Sequence, residues 1–155
     1  MAEAETLSHS GICVHDLKEA EDFYCGVLGA RLQGAVNFFT EDTLNGRSVH
    51  QAYSLGDFLF AVALAPDFMP MPPDGQLKGA MGIRHAFAVE RAAFDQVVAG
   101  LKSKGVPFEG PVDHPEAGPF GQSVYFKDPS GNFLEIVWRR DEDVAYAAPP
   151  DLDVG

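Results

Sequence analysis

Three side chains in this sequence have the types that metal or acid–base chemistry uses. His9 opens the run His9-Ser10-Gly11-Ile12-Cys13-Val14, His85 heads the run His85-Ala86-Phe87-Ala88-Val89, and Glu135 sits inside Phe133-Leu134-Glu135-Ile136-Val137-Trp138. All three runs read as strands, so alternation puts His9 with Gly11 and Cys13, His85 with Phe87 and Val89, and Glu135 with Phe133 and Val137. An ionised carboxylate embedded in apolar surface needs a cation, a hydrogen-bond network or a raised pKa. A divalent ion held by His9, His85 and Glu135 would meet that need, and three protein ligands on one side of an ion leave adjacent positions open for substrate and oxygen. A single strand histidine is more often structural than a ligand. The coincidence of position in a repeat is what favours the metal.

That repeat is seen in the elements that must carry these residues. The first strand runs up to Asp16, an N-cap with Glu19 three residues later, and Leu17, Ala20, Tyr24, Val27 and Leu28 form one helical stripe stopped by Gly29. Three strand-like runs follow, near Leu32 to Phe39, Ser48 to Leu55 and Asp57 to Ala65, with turns at Asn45-Gly46 and Gly56-Asp57. A Pro-rich stretch from Pro66 to Gly82 reads as a linker. Strand, helix (Phe94, Val97, Val98, Leu101) and glycine stop (Gly105) then return, followed by strands Gln122 to Lys127 and Phe133 to Trp138 around the turn Asp128 to Gly131. His85 follows His9 by 76 positions and Gly105 follows Gly29 by the same 76. The expected organisation is one domain over 1–155, with module 1 over about 7–66, the linker 66–82, module 2 over about 83–139 and an acidic tail 141–155. A duplicated βαβββ unit is the simplest reading.

Composition narrows the function. The 155 residues suffice for one sizeable core, and a formal charge of −12 repels phosphate backbones and anionic lipid. Nucleic-acid and membrane partners are therefore not expected. No apolar run is long enough to span a bilayer and the acidic start is unlike a signal peptide, so a cytoplasmic location is expected. The two cysteines, Cys13 and Cys25, do not make a disulfide framework.

The segment from His9 through Asp16, Phe23, Tyr24 and Leu28 to Gly29 closely resembles the opening motif of the vicinal oxygen chelate superfamily, which includes glyoxalase I, bleomycin-resistance proteins, fosfomycin-resistance enzymes and extradiol dioxygenases. Tyr125-Phe-Lys-Asp128-Pro129-Ser-Gly131-Asn-Phe-Leu-Glu135 is similar to its closing motif. The resemblance spans about Leu7 to Trp138. It implies an α+β fold of two βαβββ modules forming an incomplete mixed β-barrel around a metal site, and it places His9, His85 and Glu135 at the metal positions. Where glyoxalase I has a fourth ligand, at the repeat mate of Glu135, this chain has Phe60, which cannot ligate a metal, and the register does not place His50 or Gln51 of the preceding strand there. A three-ligand site resembles the extradiol and fosfomycin enzymes, and the absence of Lys and Arg from Val106 to Gln122 speaks against a phosphonate substrate. Phe58, Phe60, Phe87 and Phe133, with His50, are the expected substrate-cavity residues, Tyr125 the group that hydrogen-bonds a metal-bound substrate, and His114 an acid or base or else simply solvated. The expected function is a divalent-metal enzyme resembling small extradiol dioxygenases, with Fe(II) favoured over Mn, Zn or Ni, acting on a small organic substrate and allowing a homodimer. The alternatives are a lyase, isomerase or glyoxalase-like enzyme on a redox-inert ion, and a metal-free binding protein of the bleomycin-resistance type.

Overall fold

A computed structural model describes residues 8–36, 50–65, 84–116 and 118–140. The expected Asn45-Gly46 turn, the Pro-rich stretch 66–82 and the tail 141–155 lie outside the described residues. The chain divides into two compact units, one of residues 1–74 with 128–132 and one of 75–127 with 133–155. Among the described residues each holds one helix and one open four-stranded mixed sheet, so the fold class is α+β with the βαβββ order twice. Among the described residues no helix is long and apolar enough to cross a membrane.

In the first unit β1 (His9–Val14) leads into α1 (Leu17–Gly26), followed by β2 (Arg31–Val36), β3 (His50–Leu55) and β4 (Phe58–Leu64), in sheet order β1-β4-β3-β2 with β1 and β4 parallel. The Asp16 side chain accepts hydrogen bonds from the Lys18 and Glu19 backbone N–H groups at 2.7 and 2.9 Å, satisfying donors that the helix start leaves free. Gly29 leaves the helix with φ 72°, a conformation costly for any residue with a Cβ. The sheet face carrying Ser10, Ile12, Val14, Phe60, Val62, Gln51 and Tyr53 packs on α1: the rings of Tyr24 and Phe60 are 5.2 Å apart and those of Tyr53 and Phe60 stack at 5.4 Å.

The turn between the last two strands is counted with this unit and is tied to it by buried and half-buried polar contacts. Tyr24 donates its hydroxyl to Asp128 Oδ2 at 2.8 Å, Ser130 Oγ accepts from the His15 backbone at 2.9 Å, and Asn132 Nδ2 donates to the Cys13 carbonyl at 2.7 Å. The Asp-Pro-Ser-Gly turn is thus anchored through its side chains as well as its glycine, Gly131 at φ 85°.

The second unit repeats the plan with β5 (His85–Val89), α2 (Arg91–Ser103), β6 (Phe108–Asp113), β7 (Phe120–Lys127) and β8 (Phe133–Arg139), in sheet order β5-β8-β7-β6. β6 is an addition to the elements expected from sequence. Its Gly110-Pro111 pair interrupts the alternation, and the register with β7 shifts between Glu109 and Val112. β6 ends at Asp113 and β7 begins at Phe120.

Candidate functional site

Register decides which side chains meet. In the second unit Ala86 pairs with Glu135, Phe87 with Ile136, Tyr125 with Glu135 and Ser123 with Val137. Paired residues share a face, so Arg84, Ala86, Ala88, Ser123, Tyr125, Phe133, Glu135 and Val137 lie on one side of this sheet. His85, Phe87, Val89, Val124, Phe126, Leu134, Ile136 and Trp138 lie on the other. That second side belongs to the helix: Arg91, the first residue of α2, sits over the Trp138 ring at 5.3 Å.

On the Glu135 face a continuous polar chain is built. Glu135 is 5% exposed and Ser123 is fully buried. The Ser123 hydroxyl donates to Glu135 Oε1 at 2.5 Å, and His114 Nε2 lies 2.7 Å from the same Ser123 oxygen. With the serine proton directed at the carboxylate, His114 is the donor in its bond to Ser123. The other carboxylate oxygen, Oε2, accepts from Arg84 Nε at 2.9 Å. The guanidinium also sits over the Tyr125 ring, 5.6 Å from its centre, and Tyr125 stacks on Phe133 at 6.4 Å. Burial first, and then the Glu135 carboxylate, push the Tyr125 phenol above its ordinary value, against the pull of its hydrogen bond to Ser123 and of Arg84. Tyr125 therefore keeps its proton at neutral pH.

The residues anticipated from sequence are distributed differently from the expectation. Glu135, Tyr125 and Phe133 share the site face, and His114, expected either as acid–base group or as solvated, is half-buried and bonded to Ser123. His85 is on the helix face, opposite Glu135, because its strand partner is Leu134. Phe87, 6% exposed, goes with it. In the first unit Phe60 pairs with Ser10 and faces α1, so it is a core residue and not a mate of Glu135, and Phe58 has the same parity. His9 is exposed on the opposite face of that sheet, its Nδ1 3.1 Å from Ser8 Oγ, and His50 shares that face. Two residues of the site, Arg84 and Ser123, were not anticipated. The signal for Ser123 was its parity with Tyr125, two positions away. For Arg84 it was the match of Ile12 and Val14 to Phe87 and Val89, which sets the repeat of the strands at 75 and makes Arg84 the mate of His9.

These placements test the fit of a divalent ion. In the second unit His85 and Glu135 point to opposite sides of one sheet, and both Glu135 oxygens already accept hydrogen bonds, one from a permanent cation. His85 and Glu135 do not fit a common metal. Within neither unit, among the described residues, do three His, Cys, Asp or Glu side chains cluster as metal ligands.

Comparison with known proteins gives the fold its family. No curated protein matches the sequence. Among solved structures the chain is similar to the glyoxalase family protein from Enterococcus faecalis, with 21% identity over 86% of this chain and 97% of that one and a TM-score of 0.65. It is similar to a glyoxalase/dioxygenase from Nostoc punctiforme, with 21% identity over 90% and 100% of the two chains and a TM-score of 0.65. It also matches the fosfomycin resistance protein FosX from Listeria monocytogenes complexed with Mn(II) and sulfate, at 15% identity over 88% and 91% and a TM-score of 0.63. Residues 6–136 match the model of the Glyoxalase/Bleomycin resistance protein/Dioxygenase superfamily, and the chain belongs to that superfamily.

Proposed function

We propose that the protein converts a small oxygen-bearing organic molecule on the Glu135 face of its second unit, moving protons beside a carbonyl as a lyase, isomerase or glyoxalase-like enzyme would. Superfamily membership and the glyoxalase-family, dioxygenase and FosX neighbours support a metal-dependent vicinal oxygen chelate enzyme as the general class, with the reaction left open. The observation that carries the finer reading is the hydrogen-bonded chain from half-buried His114 through Ser123 to Glu135.

In that chain each group has one job. Glu135, paired with Arg84, accepts a hydrogen bond from the Ser123 hydroxyl and fixes it; the serine oxygen then accepts from His114 Nε2 and orients the imidazole. A ring held in this way is fixed in orientation beside the buried serine, as a group that passes protons to or from a substrate must be. The terminal N–H groups of Arg84, and the Tyr125 hydroxyl on turning from Ser123, are donors for substrate oxygens, and stabilising charge that develops on such an oxygen is what enolising chemistry requires. Phe133 supplies an apolar surface beside them.

The test is deuterium exchange. The purified protein, incubated in D₂O with a panel of small carbonyl and hydroxycarbonyl compounds, is expected to exchange a carbon-bound proton next to a carbonyl in at least one of them. Ser123→Ala and His114→Asn should slow that exchange by about 100-fold or more, the scale of one general acid–base group. Exchange at the parent rate in both variants would reject the reading.

The second reading is the extradiol one, with Fe(II) as the ion and Tyr125 hydrogen-bonding the bound diol. The superfamily match and the Nostoc glyoxalase/dioxygenase favour it. It needs Arg84 to leave Glu135 and a ligand other than His85. Oxygen uptake on a catechol panel after anaerobic Fe(II) loading, with no exchange in D₂O, would make it the better account.

A further inference from the structure

The Glu135 face raises a question that the proton-transfer reading leaves open, namely what balances the buried carboxylate. β5 and the residue that leads into it offer three positions on that face, 84, 86 and 88, and they are Arg, Ala and Ala. Arg84 alone among them has a polar side chain. Its Nε lies 2.9 Å from Glu135 Oε2, and its side chain is 38% exposed against 7% for the carboxylate, so the charge enters from the solvent edge to meet a buried partner.

We infer that Arg84 is the built-in cation of this site and that Glu135 works without a divalent metal. The repeat supports the assignment. In the first sheet the helix-facing residues of β1 are Ser10, Ile12 and Val14, and in the second those of β5 are His85, Phe87 and Val89. The residue before each set, on the opposite face, is His9 in one unit and Arg84 in the other, so the imidazole of the first unit is matched by a guanidinium in the second. A guanidinium cannot ligate a metal and cannot lose its charge at any working pH. A divalent ion placed on Oε2 would stand beside a fixed positive charge, and one placed on Oε1 would have to displace the Ser123 proton as well. The Tyr125 ring beneath the guanidinium helps hold it over the carboxylate. Using Nε for Glu135 leaves the outer edge of Arg84 for an oxygen of the ligand, and among the described residues that edge has no partner.

The inference rests on the Glu135 face being the working site, and its test does not depend on turnover. Full-length protein stripped with chelator is titrated with Mn(II), Zn(II) and, under anaerobic conditions, Fe(II), followed by calorimetry and by the metal retained after gel filtration. The parent is expected to retain less than a tenth of an equivalent, and the same for Glu135→Gln. The ¹⁵N–¹H signal of the Arg84 Nε group should be unmoved by Zn(II). Arg84→His, which puts an imidazole on the Glu135 face, should bind at least tenfold tighter than the parent. One equivalent of ion held by the parent and lost in Glu135→Gln would overturn the inference, a result the parent gives even if no Arg84 variant folds. The two ideas fail separately: metal bound through Glu135 with serine-dependent exchange intact defeats only this inference, and a metal-free protein with no exchange defeats only the proton-transfer reading.

Discussion

Replacing Arg84 by Met keeps much of the aliphatic stem and removes the charge, which leaves the Glu135 carboxylate, 7% exposed in its side chain, with Ser123 as its one described donor. Breaking a fully buried ion pair from one side costs about 3–5 kcal/mol. Arg84 is 38% exposed, so water takes over part of its role and the expected cost falls to about 1–3 kcal/mol. For a chain of this size that is a fall in Tm of about 2–4 °C per kcal/mol. The diagnostic is the double-mutant cycle with Glu135→Gln, whose amide has no charge to compensate. In the Glu135→Gln background the cost of Arg84→Met should shrink by about 1 kcal/mol or more, measured by urea denaturation of the four proteins. Additive effects, or an Arg84→Met protein within about 0.5 kcal/mol of the parent, would refute the claim that the guanidinium balances the carboxylate.

Tyr24→Phe should cost about 1–3 kcal/mol in urea denaturation, because it takes the hydroxyl donor from Asp128, a carboxylate 4% exposed. A parent-like midpoint would show that the tie between helix and turn is weak. Burial raises the phenols of Tyr24, with help from Asp128, and of Tyr53, so their folded values lie above the unfolded value near 10. The linked stability is fully present below pH 10 and is lost as pH rises beyond it, and Tyr24→Phe should flatten that alkaline slope. Gly121→Ala would place a methyl group inside the Trp138 ring, so a loss of about 1–3 kcal/mol and altered emission from this single tryptophan are expected. Unchanged stability and emission would contradict the close approach.

Local features of this fold are legible in the residues that carry them. Asp16 caps its helix, Gly29 and Gly105 take left-handed conformations at φ 72° and 67°, and the parity of Glu135 with Phe133 and Val137 follows from alternation alone. The failures come from counting across elements. The glycine stops are 76 apart, but β1 and β5 repeat at 75, and α1 spans 10 residues where α2 spans 13. One residue of slack between strand and stop is trivial for a helix and inverts a strand, since the side-chain period there is two. In the register of the strands Arg84, and not His85, is the mate of His9, and Ala61, and not Phe60, is the mate of Glu135. The missed strand β6 has a similar cause, a Gly-Pro pair that hides the alternation on either side of it.

The most direct test of the account is a crystal structure grown with excess Mn(II) and measured for anomalous scattering. The account predicts that Arg84 Nε remains on Glu135 Oε2, Ser123 on Oε1, and that no anomalous peak appears within ligand distance of the Glu135 carboxylate. A manganese peak bound to Glu135, with Arg84 swung away, would contradict it.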